Sequence, residues 1–147
     1  MAMLPRVAEQ IATLLNAQNQ LTVPYTKARV LDHEDRYITK LDDSGVVVGV
    51  VEVKKLQWYQ CEIDHISVDP GFKRKGFGSA LLEAAEARAR QLGARVAQCT
   101  IRVGNVESEG LFRKRGYVGT VTFRNEDSGH DVTVYQRVLG AASSGKS

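Results

Sequence analysis

Three consecutive basic residues, Lys73, Arg74 and Lys75, run directly into Gly76-Phe77-Gly78-Ser79. Residues of these types in this order suit an anion. An apolar-alternating run over 63–68 leads into the loop, and an Ala/Leu-rich run over 79–92 leads out of it. Strand, glycine-bearing loop and helix together hold a phosphate. The glycines let the backbone come close, and the first helical turn has N–H groups with no partner inside the helix. The spacing excludes two common nucleotide loops. Gly-x-x-x-x-Gly-Lys-Ser/Thr is absent, and Leu81 stands where Gly-x-Gly-x-x-Gly needs its last glycine. The plainer alternative is a basic, solvated turn before an ordinary helix. Just upstream, Glu62, Asp64 and His65 are titratable. A positioned carboxylate can act as a general base. Side chains alternate along a strand, so Glu62 and Asp64 share one face and His65 takes the other. The alternative is that all three are polar residues on a half-exposed strand.

The elements that must hold these groups are legible in outline. Val7, Ile11, Leu14 and Leu15 recur at helical spacing over 4–17, with Pro5 suited to an early helical position. Residues 18–24 read as a loop and 25–31 as a short second helix. A strand over 36–41, a turn at 42–45 and a β-branched run over 46–54 make a hairpin. Residues 56–60, with Trp58 and Tyr59, read as a loop or bulge before the strand at 61–68. A helix over 79–91 follows, its apolar face formed by Leu81, Leu82, Ala85, Ala89 and Leu92, with Gly93 as its C-terminal cap. Then come a strand at 95–102, a short helix at 107–115 and strands at 117–123 and 131–138, joined by a polar turn at 125–129. Residues 1–139 read as one α+β domain with a mostly antiparallel sheet, and the small, polar tail at 140–147 reads as disordered.

Composition narrows the function. The chain has 147 residues, 43% hydrophobic and 25% charged, which fits a globular domain with a sizeable core. A net charge of +3 is compatible with an anionic ligand and too small to argue for nucleic acid by itself. No apolar run approaches the length of a bilayer span, and no signal-peptide core is visible near the N-terminus. Cys61 and Cys99 show no metal-ligand spacing and read as reduced core residues of a cytoplasmic protein.

Two segments resemble the GNAT superfamily of acyl-CoA-dependent N-acyltransferases. Val68-Asp69-Pro70, then Lys73, then Gly76-Phe77-Gly78 are similar to its pyrophosphate loop, Val-x-Pro-x-x-Arg/Gln-x-x-Gly-x-Gly/Ala. Lys73 replaces Arg/Gln, a mild departure because that loop works mainly through backbone amides. Asn105, Ser108, Leu111, Phe112, Gly116 and Tyr117 are similar to the helix written Asn-x-x-Ala-x-x-Leu-Tyr-x-x-x-Gly-Phe. Together the two cover about residues 61–117. Phe112 stands where many members carry the tyrosine that protonates the leaving thiolate, and it cannot do that. Core packing is the plain reading of Phe112; for Asn105 a helix cap and a cofactor contact stand side by side.

The resemblance implies an α+β fold with a mixed, mostly antiparallel sheet of about 6–7 strands and about 4 helices. It implies acetyl-CoA as cosubstrate, with no metal. The N–H groups of Arg74, Gly76, Gly78 and Ser79 would face the pyrophosphate, with Lys73, Lys75 and Phe77 in the same loop. Ile66 and Val68 would offer main-chain hydrogen bonds to the pantetheine arm, and an amide near Ile66 would polarise the thioester carbonyl. Glu62 falls where the histone acetyltransferase branch carries its glutamate, and that branch commonly has phenylalanine at the Phe112 position. Glu62 is therefore the first candidate base, Asp64 the second and His65 the third. Direct transfer in a ternary complex is expected, to a small-molecule or peptide amine. The acceptor groove would draw on residues 19–25, 58–60 and 123–130. The cluster Asp32-His33-Glu34-Asp35 reads as a solvated turn or as an attractor of a cationic acceptor. A homodimer is compatible with this picture. Two other classes remain: a non-catalytic acyl-CoA-binding module, and a nucleic-acid-associated protein using residues 73–75 and 113–115.

Overall fold

The computed structural model describes residues 2–140; the tail expected at 140–147 falls outside the described residues except for Gly140. The order is α1 (Pro5–Gln18), α2 (Lys27–Asp32), a 3-10 turn (Glu34–Arg36), β1 (Tyr37–Leu41), β2 (Val47–Gln57), β3 (Gln60–Val68), a 3-10 turn (Pro70–Phe72), α3 (Phe77–Gln91), β4 (Val96–Arg102), α4 (Val106–Lys114), β5 (Val118–Asn125) and β6 (His130–Val138). The six strands lie in the order β1-β2-β3-β4-β6-β5. β3 and β4 are parallel, whereas β1–β2, β4–β6 and β5–β6 are antiparallel, so the sheet is mixed. Six strands and four α-helices match the expected class.

Three expectations are corrected. β2 continues to Gln57 and β3 begins at Gln60, so Trp58 and Tyr59 form a two-residue turn where a loop over 56–60 was expected. Paired backbone outweighs the polar composition of this stretch. α3 starts two residues early, at Phe77, because Ala80 N–H already donates to Gly76 C=O at 3.0 Å. Leu92 lies past the helix end and is 41% exposed, so it is not part of the apolar face.

Two compact units make up the chain. The first combines the chain up to Val53 with His65–Ala85. Its core joins Ala8, Ile11 and Leu15 of α1 to Val30, Tyr37 and Val50. Full burial of such a side chain stabilises by about 1.5–3 kcal/mol. Thr26 caps α2, its hydroxyl accepting from Arg29 N–H at 3.1 Å. Val47 to Val53 of β2 are all buried, the mark of a strand covered on both faces. Gly49 is required there: a Cβ would sit 3.0 Å from Leu81 Cδ1 and 3.3 Å from Lys40 Cβ. A buried carboxylate, Glu52, accepts from Tyr25 Oη at 2.7 Å and lies 3.6 Å from Arg36. Burial, then Glu52, pushes the Tyr25 phenol up, so it stays a donor.

The second unit combines Lys54–Asp64 with the chain from Glu86 on. Ala97, Cys99 and Ile101 of β4 face inward with Phe112, Tyr117 and Tyr135. Within this core lies Glu86, 0% exposed. Its carboxylate accepts from Arg115 and from Tyr117 Oη at 2.9 Å, and pairs with Arg137 at 2.9 Å. Burial alone would raise this carboxyl, but the Arg115, Arg137 and Tyr117 contacts outweigh it and hold the group below its usual range. A depressed carboxyl stabilises the fold above its unfolded pKa, and that contribution is lost as pH falls through the folded value. Glu86→Gln strands two guanidiniums. Both reach solvent, so the expected loss is about 3 kcal/mol, the low end for breaking a buried pair. In chemical denaturation the gap between wild type and Glu86→Gln should be full at neutral pH, begin to narrow near the ordinary glutamate value of about 4.3, and close only as pH falls through the lowered folded value. A constant gap would assign the loss to packing instead.

Candidate functional site

The basic glycine loop lies wholly in the first unit. Asp69 N–H donates to Val48 C=O at 2.8 Å, which ties the loop to β2. Asp69 Oδ1 accepts from Gly71 N–H at 2.9 Å, and Phe72 N–H returns to Asp69 C=O at 2.8 Å. Pro70 fits the resulting 3-10 turn. The chain then takes left-handed backbone twice, at Arg74 (φ 65°) and Gly76 (φ 79°). Only glycine adopts this conformation without steric cost, which accounts for Gly76. Gly76 is the N-cap of α3, so the N–H groups of Phe77, Gly78 and Ser79 fall in the helical turn that has no acceptor within the helix. Gly78 is already helical. Its backbone is outside the left-handed region and does not itself require glycine. Phe72 and Phe77 stack at 6.0 Å, with Lys75 Nζ 5.6 Å from the Phe72 ring and Lys40 Nζ 5.0 Å from the Phe77 ring. The loop therefore presents helix-end amides, two lysines and aromatic surface together, which suits a phosphate-bearing ligand.

β3 carries the titratable candidates. Cys61 and Ile63 are buried, while Gln60, Glu62 and Asp64 are half-buried. In the second unit Lys54 Nζ lies 3.0 Å from Asp64 and 3.8 Å from Glu62. One ammonium thus serves both carboxylates. Beside them, Gln98 Oε1 accepts from Gln60 at 2.6 Å and Gln136 at 2.8 Å, and Glu62 is in register with Gln98. The β3–β4 pairing covers only Gln60 to Glu62. Burial, then Asp64 and Glu62, pushes the Cys99 thiol up, and burial raises Cys61. Both cysteines remain thiols and are poor nucleophiles.

In the first unit the even alternation of β3 is interrupted. His65 has φ 53°, a left-handed backbone in mid-strand. Its ring meets Tyr25 edge-on at 5.9 Å. Ser67 is buried, and its hydroxyl donates to His65 C=O at 3.0 Å while accepting from Asn19 Nδ2 at 2.8 Å. Ile66 and Val68 are half-buried on the same strand.

In the second unit Asn105 caps α4, its Oδ1 accepting from Ser108 N–H at 3.3 Å. Phe112 is buried and meets Tyr117 edge-to-face at 4.9 Å. Trp58 is 74% exposed, and its ring meets that of Tyr59 in a T-shaped contact at 5.0 Å. Of the basic residues 113–115, Arg113 donates to Tyr135 Oη at 3.1 Å and Arg115 is held by Glu86. Asp32 to Asp35 end α2 and begin the 3-10 turn, where Glu34 accepts from Met3 N–H at 3.1 Å.

The model of the acetyltransferase (GNAT) family matches residues 7–117. The chain belongs to that family. A curated relative of this GNAT chain, the uncharacterized protein YdhI of Bacillus subtilis (strain 168), is 29% identical over 85 residues. That match takes in 58% of this chain and about half, 51%, of YdhI's own length. Among solved structures, Ard1 from Thermoplasma volcanium superposes with a TM-score of 0.79 at 25% identity, covering 94% of this GNAT chain and 95% of Ard1. The protein yncA from Salmonella typhimurium, solved with its cofactor acetyl-CoA, gives 0.79 at 20% identity, covering 100% and 96%. At that identity the likeness to yncA speaks for the GNAT fold alone.

Sequence reasoning missed Lys54, Ser67 and Glu52, and it read Asn19 only as the start of an acceptor-groove segment. Lys54 has no linear signal, because its contact depends on the register of the β2–β3 turn, which spacing does not fix. A buried serine three residues before a loop proline reads as an ordinary strand residue.

Proposed function

We propose that this protein moves an acetyl group from acetyl-CoA to a primary amine by direct transfer in a ternary complex. The observation that carries this reading is the loop after β3: left-handed Arg74 and Gly76, then Phe77, Gly78 and Ser79 amides in the first turn of α3. The pyrophosphate takes the N–H groups of Arg74, Gly76, Gly78 and Ser79, with Lys73 and Lys75 adding positive field. Main-chain groups of Ile66 and Val68 hold the pantetheine arm. Ile66 N–H faces the thioester carbonyl, where negative charge develops during attack.

The acceptor arrives as an ammonium and must lose a proton. Glu62 takes it, directly or through water, with Asp64 as the alternate base. Lys54, 3.0 Å from Asp64 and 3.8 Å from Glu62, is the cation both carboxylates face. The amine nitrogen forms a bond to the acetyl carbon, the C–S bond breaks, and coenzyme A leaves as thiolate. Phe112 has no proton to give, so the second proton, released by the nitrogen as it becomes the amide, passes through water to the thiolate. Phe112→Leu should accordingly cost stability, about 1 kcal/mol for a hydrophobic swap in a packed core, and leave kcat nearly unchanged. Asn105, with Oδ1 committed to Ser108, has its amide Nδ2 available for a cofactor contact.

The test is thiol release from acetyl-CoA with a panel of monoamines, polyamines and peptides bearing free N-termini, with products weighed by mass spectrometry. At least one amine should release thiol and gain one acetyl group. Tight acetyl-CoA binding with no acceptor in the panel raising thiol release above hydrolysis would point to a non-catalytic binding module.

A further inference from the structure

His65 is one of two non-glycine residues with positive φ among the described residues, and it lies inside a nine-residue strand. Left-handed backbone at a residue with a Cβ costs about 1–2 kcal/mol, so something must hold it. The holding groups form a short chain. Asn19, at the C-terminus of α1, donates from Nδ2 to Leu15 C=O at 2.9 Å and to Ser67 Oγ at 2.8 Å. Ser67 Oγ then donates its single proton to His65 C=O at 3.0 Å. Ser67 is 3% exposed, so water does not substitute freely for either bond. The first of these bonds uses a carbonyl that the end of α1 leaves without a helical partner.

This chain has a directional consequence. The C=O of His65 and the N–H of Ile66 belong to one planar trans peptide and point in opposite directions. Holding the oxygen toward Ser67 aims the Ile66 N–H away from it. We infer that Asn19 and Ser67 are positioning residues that set the aim of the Ile66 amide. The inference rests on the acetyl-CoA reading, in which that amide meets the acetyl oxygen. Neither side chain touches the reacting atoms; both act through the His65–Ile66 peptide. The other end of the connection after α1 leans on the same residue. Asn16 holds Tyr25 through both backbone groups, at 2.9 and 2.8 Å, and the Tyr25 ring meets His65.

The experiment compares binding of acetyl-CoA and of CoA by calorimetry in wild type, Ser67→Ala, Asn19→Ala and Ser67→Thr, together with kcat and KM. CoA lacks the acetyl group, so the ratio of the two affinities reads the contacts to that group, the Ile66 amide among them, and the change in the ratio between wild type and variant reads what Ser67 and Asn19 contribute. Wild type should prefer acetyl-CoA by about 3- to 10-fold, the worth of one hydrogen bond. Ser67→Ala and Asn19→Ala should bring the ratio toward one with CoA affinity unchanged. Ser67→Ala should also lower kcat by roughly 10²-fold, the lower range for loss of one oxyanion donor, while KM for acetyl-CoA rises by no more than the about 3- to 10-fold lost in affinity. Ser67→Thr keeps a hydroxyl and should keep the preference. A folded Ser67→Ala protein that retains the wild-type ratio and kcat overturns the inference while leaving acetyl-CoA binding intact. Should Ser67→Ala not fold, the affinity ratio and kcat of Asn19→Ala decide the matter in the same way, at a more exposed position. A wild type that binds neither ligand overturns the acetyl-CoA reading, and this inference with it.

Discussion

Glu62→Gln should lower kcat by roughly 10²–10⁴-fold, the usual contribution of a positioned general base. Glutamine keeps the size and much of the hydrogen bonding of Glu62 and removes only its basicity. Acetyl-CoA affinity should hardly change, because the carboxylate serves the acceptor. Activity should recover in part at high pH, where more of the amine is free without help. The structure adds a control. Lys54 Nζ lies 3.8 Å from Glu62 and 3.0 Å from Asp64, so Glu62→Gln leaves Lys54 its closer partner and should cost little stability. Rate profiles for wild type, Glu62→Gln and Asp64→Asn across pH check this. A Glu62→Gln enzyme with near-normal kcat throughout, beside an Asp64→Asn enzyme that has lost it, would move the base two residues along β3.

How much of this was legible in the sequence depended on how local each feature is. The loop and α3 were legible because their signals lie close together along the chain: apolar alternation, a proline, glycines, then Leu81, Leu82, Ala85 and Ala89 at helical spacing. Gly76 announces a left-handed position by its type. His65 does not, since histidine in a strand pattern implies an ordinary extended residue, and the strain shows only in its φ of 53°. Glu86 was missed for a related reason. It falls three and four residues from Ala89 and Leu82, on the buried side of α3. A glutamate there looks out of place until Arg115, Tyr117 and Arg137 arrive from 29 to 51 residues later to neutralise it. The two-residue turn at Trp58 and Tyr59 was hidden by aromatic and polar composition that reads equally well as loop. Long-range polar partners, register and backbone strain are set by tertiary packing, and a linear pattern carries no trace of them.

Gly78→Glu should abolish most acetyl-CoA binding. The substitution puts a carboxylate into the first turn of α3, where a pyrophosphate would face the free amides. It adds bulk where close approach is needed and negative charge where an anion must sit. Loss of even one charge-assisted hydrogen bond costs about 1.5–3 kcal/mol, so affinity should fall at least about 10- to 100-fold. Gly78 is helical and outside the left-handed region, so glutamate is tolerated by its backbone and the fold should survive. Gly76→Ala would mix this effect with strain from φ 79° and reports less cleanly.

Calorimetric titration of acetyl-CoA into wild type and Gly78→Glu, each checked by circular dichroism, tests the central claim most directly. One binding event per wild-type chain, and its near-complete loss in a folded Gly78→Glu protein, is the predicted result. Equal affinity in the two proteins, or no binding to wild type, would contradict the assignment of the loop after β3 as the acetyl-CoA site.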